Sequence, residues 1–488
     1  MQRHFFSNLF LNLCLNLLIK PLAIFAIDAT VQNRVGQEEY GLYFTLLNLT
    51  VIFNIFLDFG INNYTTKTIA QNPQQTSNYF GTLMSFRLVL FLLYVFIIFS
   101  LAILLGYQWR EFYLLLFLVF NQLLILSIAF FRSHFAGLHL FKTDAIISVL
   151  DRALLIIFAG AFLFVLNGDS KNIEWFIYTQ TLCYFITVLI AAGLLRNKIS
   201  GPFLHWNFRS SLSIVKQSIP YALLILLMLL YNRIDAVILE RLHSNGRVEV
   251  GFYAQGYRLL DAVYMFGMIF AGLLFPMFSR LLKESIKEVI LLLKTAGNLL
   301  IGGSIVIVAI TTFNAEWILS LIYINVEQSA VFSFCILMIC FIPISMNFIF
   351  GTLLTANGSL KKLNIISFLG VLLNVTINTL LVPDLGAKGA AISALITQSF
   401  VCVIQFYYAY TIIKFKISIN EISKYFLLII TLSISGLSSS YFSLSSSTSV
   451  FIQVILGASL MFFLSFIDIK ELKKITLFRQ DSNNYPSN

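Results

Sequence analysis

Charge is what this sequence has least of. Asp, Glu, Lys and Arg together make up 11% of its 488 residues, against about 25% in a soluble domain. So few charges cannot solvate the surface of a water-soluble protein this large, which excludes a soluble enzyme or soluble binding module. Histidine is also scarce. His4, His134, His139, His205 and His243 are scattered near segment boundaries, and none stands at a metal-ligand spacing. The five cysteines, Cys14, Cys183, Cys335, Cys340 and Cys402, all lie inside apolar runs. They also lack a metal-ligand spacing, which predicts free buried thiols. No metal or other cofactor is implied. Long loops are missing too. The longest connection, 196–215, is basic, and no segment is large enough for the acid/base or metal-binding loops of a membrane polysaccharide polymerase or glycosyltransferase. No small-x-small cleavage site follows Arg3 and His4, so the first apolar stretch, running to about residue 27, reads as an uncleaved transmembrane helix.

What is present is hydrophobic length. Hydrophobic residues make up 59% of the chain, in runs of about 18 or more, enough to cross about 30 Å of hydrocarbon at about 1.5 Å per residue. A membrane barrel needs short alternating segments instead. In lipid the backbone must satisfy its own hydrogen bonds, so these runs are helices. The expected fold is all-α, a polytopic membrane protein of about fourteen transmembrane helices. Spans are expected at 4–27, 41–63, 79–106, 112–131, 144–166, 173–195, 216–242, 250–278, 288–313, 329–356, 363–382, 388–413, 422–440 and 448–468. With the N-terminus inside, about 20 Lys and Arg fall at inner loops and ends and about six outside, so both termini are expected in the cytoplasm. The net charge of +10 points to anionic lipid surfaces or anionic cargo. Nucleic acid is excluded as a partner, since no soluble basic domain exists to hold it.

The chain also carries an internal repeat. Glu39-Tyr40-Gly41-Leu42-Tyr43 opens span 2, and Glu249-Val250-Gly251-Phe252-Tyr253 opens span 8. Both are Glu-x-Gly-x-Tyr, and both lie outside. Six spans separate them, as expected for parallel repeats related by an axis along the membrane normal. The repeat predicts two pseudo-symmetric six-helix lobes around a central cavity, at 1–200 (spans 1–6) and 201–420 (spans 7–12). Two C-terminal helices and a cytoplasmic tail follow at 421–488.

Ionisable side chains in hydrocarbon are costly and usually face a cavity or a partner. The candidates are Lys20, Asp58, Arg87, Asp151, Arg152, Arg233, Asp235, Arg258, Asp261 and Lys294. Basic members outnumber acidic ones, which suits an anion better than a cationic drug. In span 1, Asn8, Asn12, Asn16 and Lys20 follow one another at i+4 and form a stripe on one helix face. Span 11 has a similar series in Asn364, Ser367, Asn374 and Asn378. Such stripes either line water or join helices. Arg258 and Asp261, at i,i+3, are able to pair. Arg233 and Asp235 point apart, as do the adjacent Asp151 and Arg152, while Asp58 and Lys294 lie near the inner boundary, where snorkelling is the plainer reading. Arg makes two parallel bonds to phosphate oxygens and stays charged. Arg87, Arg152, Arg233 and Arg258, with Lys20, Asn12 and Asn16, are therefore the candidate substrate-binding residues, with Tyr231, Tyr257 and Tyr264 beside them. Asp235 and Asp261 are the coupling-ion candidates. Pro220, Pro276, Pro343, Gly267 and Gly272 are candidate bending points, with close packing against glycine the alternative.

Several stretches resemble the polysaccharide flippase (Wzx-type, O-antigen) family of the multidrug/oligosaccharidyl-lipid/polysaccharide exporter superfamily. They are Val35-Gly36-Gln37-Glu38-Glu39-Tyr40-Gly41-Leu42-Tyr43 with Asp58-Phe59-Gly60, Gly251-Phe252-Tyr253-Ala254 with Tyr257-Arg258-Leu259-Leu260-Asp261, and Ala356-Asn357-Gly358 with Asn374 and the run from Val382 to Ala391. They occur in the family's order across most of the chain. Ile322-Tyr323-Ile324-Asn325 departs from it, because relatives often have a glycine before an acidic residue there. The resemblance implies a fourteen-helix fold and a transporter, not an enzyme. Its cargo would be a glycan linked to undecaprenyl diphosphate, carried from the inner to the outer leaflet of the bacterial cytoplasmic membrane. A polysaccharide polymerase and chain-length machinery are candidate partners, and the drive is either a proton or sodium ion coupled through an embedded carboxylate or the membrane potential acting on the anionic cargo. A multidrug or cation antiporter of the same superfamily is the alternative.

Overall fold

The computed structural model describes residues 14–71, 76–165, 171–196, 208–416 and 418–466, and these form helices joined by short connections, without a strand. Among the described residues, thirteen helices are long and apolar enough to cross a membrane, so the chain is a multi-pass membrane protein. The helices are α1 (Cys14–Val35), α2 (Gln37–Ile52), α3 (Ile61–Gln71), α4 (Thr76–Leu104), α5 (Trp109–Gly137), α6 (Phe141–Gly160), α7 (Glu174–Arg196), α8 (Phe208–Leu242) and α9 (Gly246–Glu284). They continue as α10 (Ile286–Phe313), α11 (Ala315–Ile322), α12 (Gln328–Ile339), α13 (Phe341–Ala356), α14 (Leu360–Leu385), α15 (Ala387–Ile413), α16 (Ile419–Tyr441) and α17 (Ser446–Phe463). Their ends carry local signals. Gln108 and Glu111 form a capping box at α5, with the Gln108 amide donating to Glu111 Oε2 at 2.9 Å. The Ser445 hydroxyl accepts the Thr448 amide at the start of α17.

Two expected spans differ from single straight helices. The segment 41–63 is interrupted. α2 stops at Ile52, a short 3-10 turn covers Asn54–Leu57, and α3 starts at Ile61. Phe59 and Gly60 have φ of 41° and 81°, a left-handed conformation that no helix continues through. The Asp58 carboxylate accepts the Asn62 amide at 3.3 Å and so caps α3. Span 10 is likewise two helices, α12 and α13, that meet at Cys340, three residues before Pro343. Span 1 is longer than expected and ends at Val35, because the first residue that leaves helical geometry is Gly36, at φ 85°. It contains a π-helical turn at Ala23–Asp28.

Helix contacts divide the chain into two compact units. The first comprises 1–255, 322–325 and 371–390; the second comprises 256–321, 326–370 and 391–488. The first has a core of Phe80, Phe130, Phe135, Ile147, Tyr184 and Leu195 with their neighbours. The second is built on Leu274, Phe278, Val289, Leu292, Phe350 and Leu353. Within it, α16 and α17 pack against α10 through polar contacts among apolar ones. Lys294 pairs with Glu421 at 2.8 Å, Tyr425 donates to Asn298 at 3.2 Å, and Asn314 donates to Gln453 at 3.0 Å. Gly436 and Gly457 give room to Phe313 and Val306, the small-residue packing that holds helices together in lipid. Gly267 likewise receives the Phe348 ring, whereas Gly272 faces open space. Many large apolar side chains stay exposed, among them Phe96, Leu104, Val403, Phe426 and Phe451. That exposure suits a hydrocarbon surrounding rather than water.

The two repeat copies meet within the first unit. A side chain at Gly41 would strike the Arg247 carbonyl, and one at Gly251 would strike the Gln37 carbonyl. Gly251 is 210 residues after Gly41, and Arg247 is 210 after Gln37, so the two contacts are the same contact made reciprocally. The repeat glutamates also match in role. Glu39 Oε2 accepts the Ile173 amide at the start of α7, and Glu249 Oε2 accepts the Ala387 amide at the start of α15. Each copy thus ties its own helix to the first turn of a later one.

Candidate functional site

α1 and α6 bring together the residues of the main polar site. Asn16 on α1 donates to Ser148 on α6 at 2.9 Å. One turn further on, Lys20 lies half-buried, within electrostatic reach of Asp151, Arg152 and Arg132. The expectation that Asp151 and Arg152 diverge is corrected. The side chains fold back to 3.6 Å between Arg152 Nε and Asp151 Oδ2. The Arg152 guanidinium also lies 5.7 Å from the centre of the Tyr184 ring on α7. Its Nη atoms have no hydrogen-bond partner among the described residues. Asn12 lies outside the described residues.

A residue not singled out in the sequence completes this site. Asp28 ends the π turn of α1 and is 8% exposed. Tyr40 donates to its Oδ2 at 2.8 Å. Asp28 and Tyr43 both lie in the electrostatic field of Arg152, and Tyr43 exchanges hydrogen bonds with Gln180 on α7. Asp28 sits one position past the expected end of span 1. The signal for it was the lack of any helix breaker before Gly36.

The other candidates of the first unit occupy different places. Arg87 on α4 is buried. It lies 4.8 Å from the centre of the Phe130 ring, donates to Asn62 at 3.4 Å and sits in the field of Asp58. Its Nη2 has no hydrogen-bond partner among the described residues. It therefore braces the interrupted segment between α2 and α3 instead of joining Lys20 and Arg152. Arg233 donates to Asn48 on α2 at 3.3 Å. Asp235, two residues on, points elsewhere, as expected from helix geometry. It is 1% exposed and accepts bonds from Asn374 at 2.9 Å, Asn378 at 2.7 Å and Tyr253 at 3.1 Å. The Asn374 and Asn378 stripe of α14 is thus a carboxylate holder. In the second unit, Arg258 Nη1 and Asp261 Oδ2 are 3.7 Å apart, the i,i+3 geometry expected for them.

A further cluster in the first unit joins Arg110, Arg241 and Arg247, outer charges by the Lys and Arg distribution, to four glutamates. Arg110 binds both Glu39, at 2.6 Å, and Glu174, at 2.9 Å. Arg247 binds Glu111 and, at 3.3 Å, Glu240. Glu240 also holds Arg241 at 3.1 Å and accepts from the Tyr107 hydroxyl at 3.0 Å. Burial and the nearby Glu240 carboxylate raise the Tyr107 phenol well above its usual range, so it remains a donor.

Solved structures share this fold at low sequence identity. A lipid II flippase MurJ in an inward closed conformation is 14% identical with a TM-score of 0.67, covering 96% of this chain and 98% of that one. A multidrug resistance transporter of the MATE family and MOP superfamily, in an inward-facing conformation, is 15% identical with a TM-score of 0.63, covering 81% and 94%. A MOP superfamily transporter from Pyrococcus furiosus is 15% identical with a TM-score of 0.56, covering 83% and 96%. No curated protein matches the sequence. Residues 5–282, more than half of the chain and including every element of the Lys20–Arg152 site, match the model of a family described as polysaccharide biosynthesis protein; the chain belongs to that family.

Proposed function

We propose that this protein flips undecaprenyl-diphosphate-linked oligosaccharide from the inner to the outer leaflet of the bacterial cytoplasmic membrane, by alternating access, for surface polysaccharide synthesis. The observation that carries the reading is the placement of Lys20 and the half-buried Arg152 around Asp151, inside membrane-spanning helices of a polysaccharide biosynthesis family member. A diphosphate cannot cross hydrocarbon unaided, because each charge costs several kcal/mol or more. A guanidinium with open Nη donors beside an ammonium lowers that cost, and Arg152 grips phosphate oxygens through its planar fork. Asn16, Gln180 and Tyr43 supply hydrogen-bonding groups near the same site. In this reading Arg233, in the same unit, contributes further positive charge, and Arg258 of the second unit remains a candidate contact for the cargo. Asp235 is the coupling carboxylate, with Asp261 second, and a proton or sodium ion is the coupled ion.

The test is a strain lacking this protein but making the glycan. It should accumulate the lipid-linked glycan on the cytoplasmic leaflet, and restoring the wild-type protein should clear it. Clearance by Arg152→Ala at wild-type abundance would remove the proposed anion site. Loss of export of cationic drugs, with the glycan unaffected, would support the antiporter reading instead.

A further inference from the structure

One end of the second unit, the cytoplasmic end by the Lys and Arg distribution, gathers lysines with few acids. Between Glu327 and Glu421 the sequence holds a single acid, Asp384, at the far end of α14 from Lys361 and Lys362. Of the other acids at the lysine-rich end, Glu284 pairs with Arg280 and Glu421 with Lys294, while Glu288 stands in the first turn of α10. Lys361, Lys362 and Lys414 are exposed, and none of them forms an ion pair among the described residues. Lys361 and Lys362 open α14, and Lys414, at φ 53°, closes α15. The two helices meet here, with Lys362 Nζ 4.8 Å from the centre of the Tyr408 ring. Exposed apolar side chains continue from the lysines along the same helix faces. Ile365 and Leu369 follow Lys361 at steps of four, and Val403, Tyr407 and Tyr410 share a face of α15. All of these lysine-site residues belong to the second unit.

We propose that the start of α14 and the end of α15 bind an anionic phospholipid of the inner leaflet, its phosphate at Lys361, Lys362 and Lys414 and an acyl chain along the exposed apolar faces. Basic side chains at a membrane surface attract anionic head groups, and no carboxylate beside these three lysines offsets that attraction. Tyr407 and Tyr410 each combine an apolar ring with a polar tip, which suits the level where head group meets hydrocarbon. Lysine carries its charge on a flexible stem with three rotatable donors, so it follows a head group without demanding one planar orientation. The Tyr408 ring limits that freedom at Lys362 and sets one of the three charges in place between the helices. The Lys20–Arg152 site, by contrast, is half-buried among helices of the first unit. Binding at the lysines therefore does not depend on the flippase reading.

The test is native mass spectrometry of the full-length protein in detergent, titrated with phosphatidylglycerol or with phosphatidylcholine of the same acyl chains. The wild type should hold its first phosphatidylglycerol at least tenfold more tightly than phosphatidylcholine. Lys361→Gln, Lys362→Gln and Lys414→Gln together should abolish that preference. Lys283→Gln, Lys287→Gln and Lys424→Gln together remove the same charge elsewhere at this end and should keep it. Tyr408→Leu leaves all three lysines and should weaken the preference severalfold. Should the first triple variant not elute as a single folded species, Tyr408→Leu decides, and an unchanged preference there overturns the site. Equal retention of the two lipids by the wild type overturns it as well, and leaves the lysines to an acidic protein partner. Equal loss in both triple variants also overturns it, because the attraction is then spread over the whole inner face.

Discussion

At the scale of single residues, three embedded arginines of the first unit have separate surroundings. Arg87 is enclosed by Phe130, Asn62 and the charge of Asp58, while Arg233 is held on Asn48. Arg152 is half-buried and engaged by one long ion pair. Arg152→Ala should therefore lower glycan export by at least tenfold at normal abundance, while Arg152→Lys should restore only part of it, because Lys keeps the charge and loses the fork. Quantified surface glycan beside protein abundance gives the check. Arg87→Ala should act mainly through abundance, since it removes a buried cation and leaves Asp58 without its compensating charge. Asp235 is held by three donors. In vesicles with an imposed proton or sodium gradient, Asp235→Asn should remove the response of transport to the gradient. Gradient-independent transport in the wild type, with Asp235→Asn fully active, would end the coupling role.

At the scale of elements, the interruption between α2 and α3 is the main departure from regular helices. Its sequence signal, Asp58-Phe59-Gly60, was visible, but hydropathy alone reads straight through it, because Phe53, Ile55, Phe56 and Leu57 are apolar. Glycine at position 60 is required by its φ of 81°, and an added side chain would also meet Ser218 Oγ at 3.2 Å. Gly60→Ala should cost about 1–2 kcal/mol and lower the apparent unfolding temperature in detergent, whereas an unchanged temperature would show that the turn relaxes freely. The existence and approximate positions of the apolar spans, and the repeat, were legible because hydrophobic length and position survive in a linear sequence, whereas the ends of spans 1, 4 and 8 were set by capping and glycine positions that hydropathy does not show. The partners of the charges were not, because pairing depends on which helices touch. Arg110 and Arg247 read as loop charges until α2, α5, α7 and α8 bring glutamates to them. Asp28 was missed for the reason opposite to Gly60. The helix continued past the apolar run, and polar residues such as Asp28 and Gln32 hid that continuation.

At the scale of the whole molecule, both the orientation of the chain in the membrane and its cargo are open to direct test. Single cysteines at Lys171 and Ser244 should react with an impermeant thiol reagent applied from outside intact cells, and those at Ser285 and Lys361 should react only after the membrane is opened. The reverse pattern would invert the orientation derived from the Lys and Arg distribution. The functional claim, that the Lys20–Arg152 site of the first unit passes a diphosphate-linked glycan across the bilayer, is tested most directly with purified protein in liposomes. Undecaprenyl-diphosphate-linked oligosaccharide is placed in both leaflets, and the fraction accessible to an added impermeant glycosidase is followed over time. The account predicts that accessibility rises from about half to near completion with the wild-type protein and stays near half with Arg152→Ala. Equal, slow exposure in protein-free, wild-type and Arg152→Ala liposomes would contradict it.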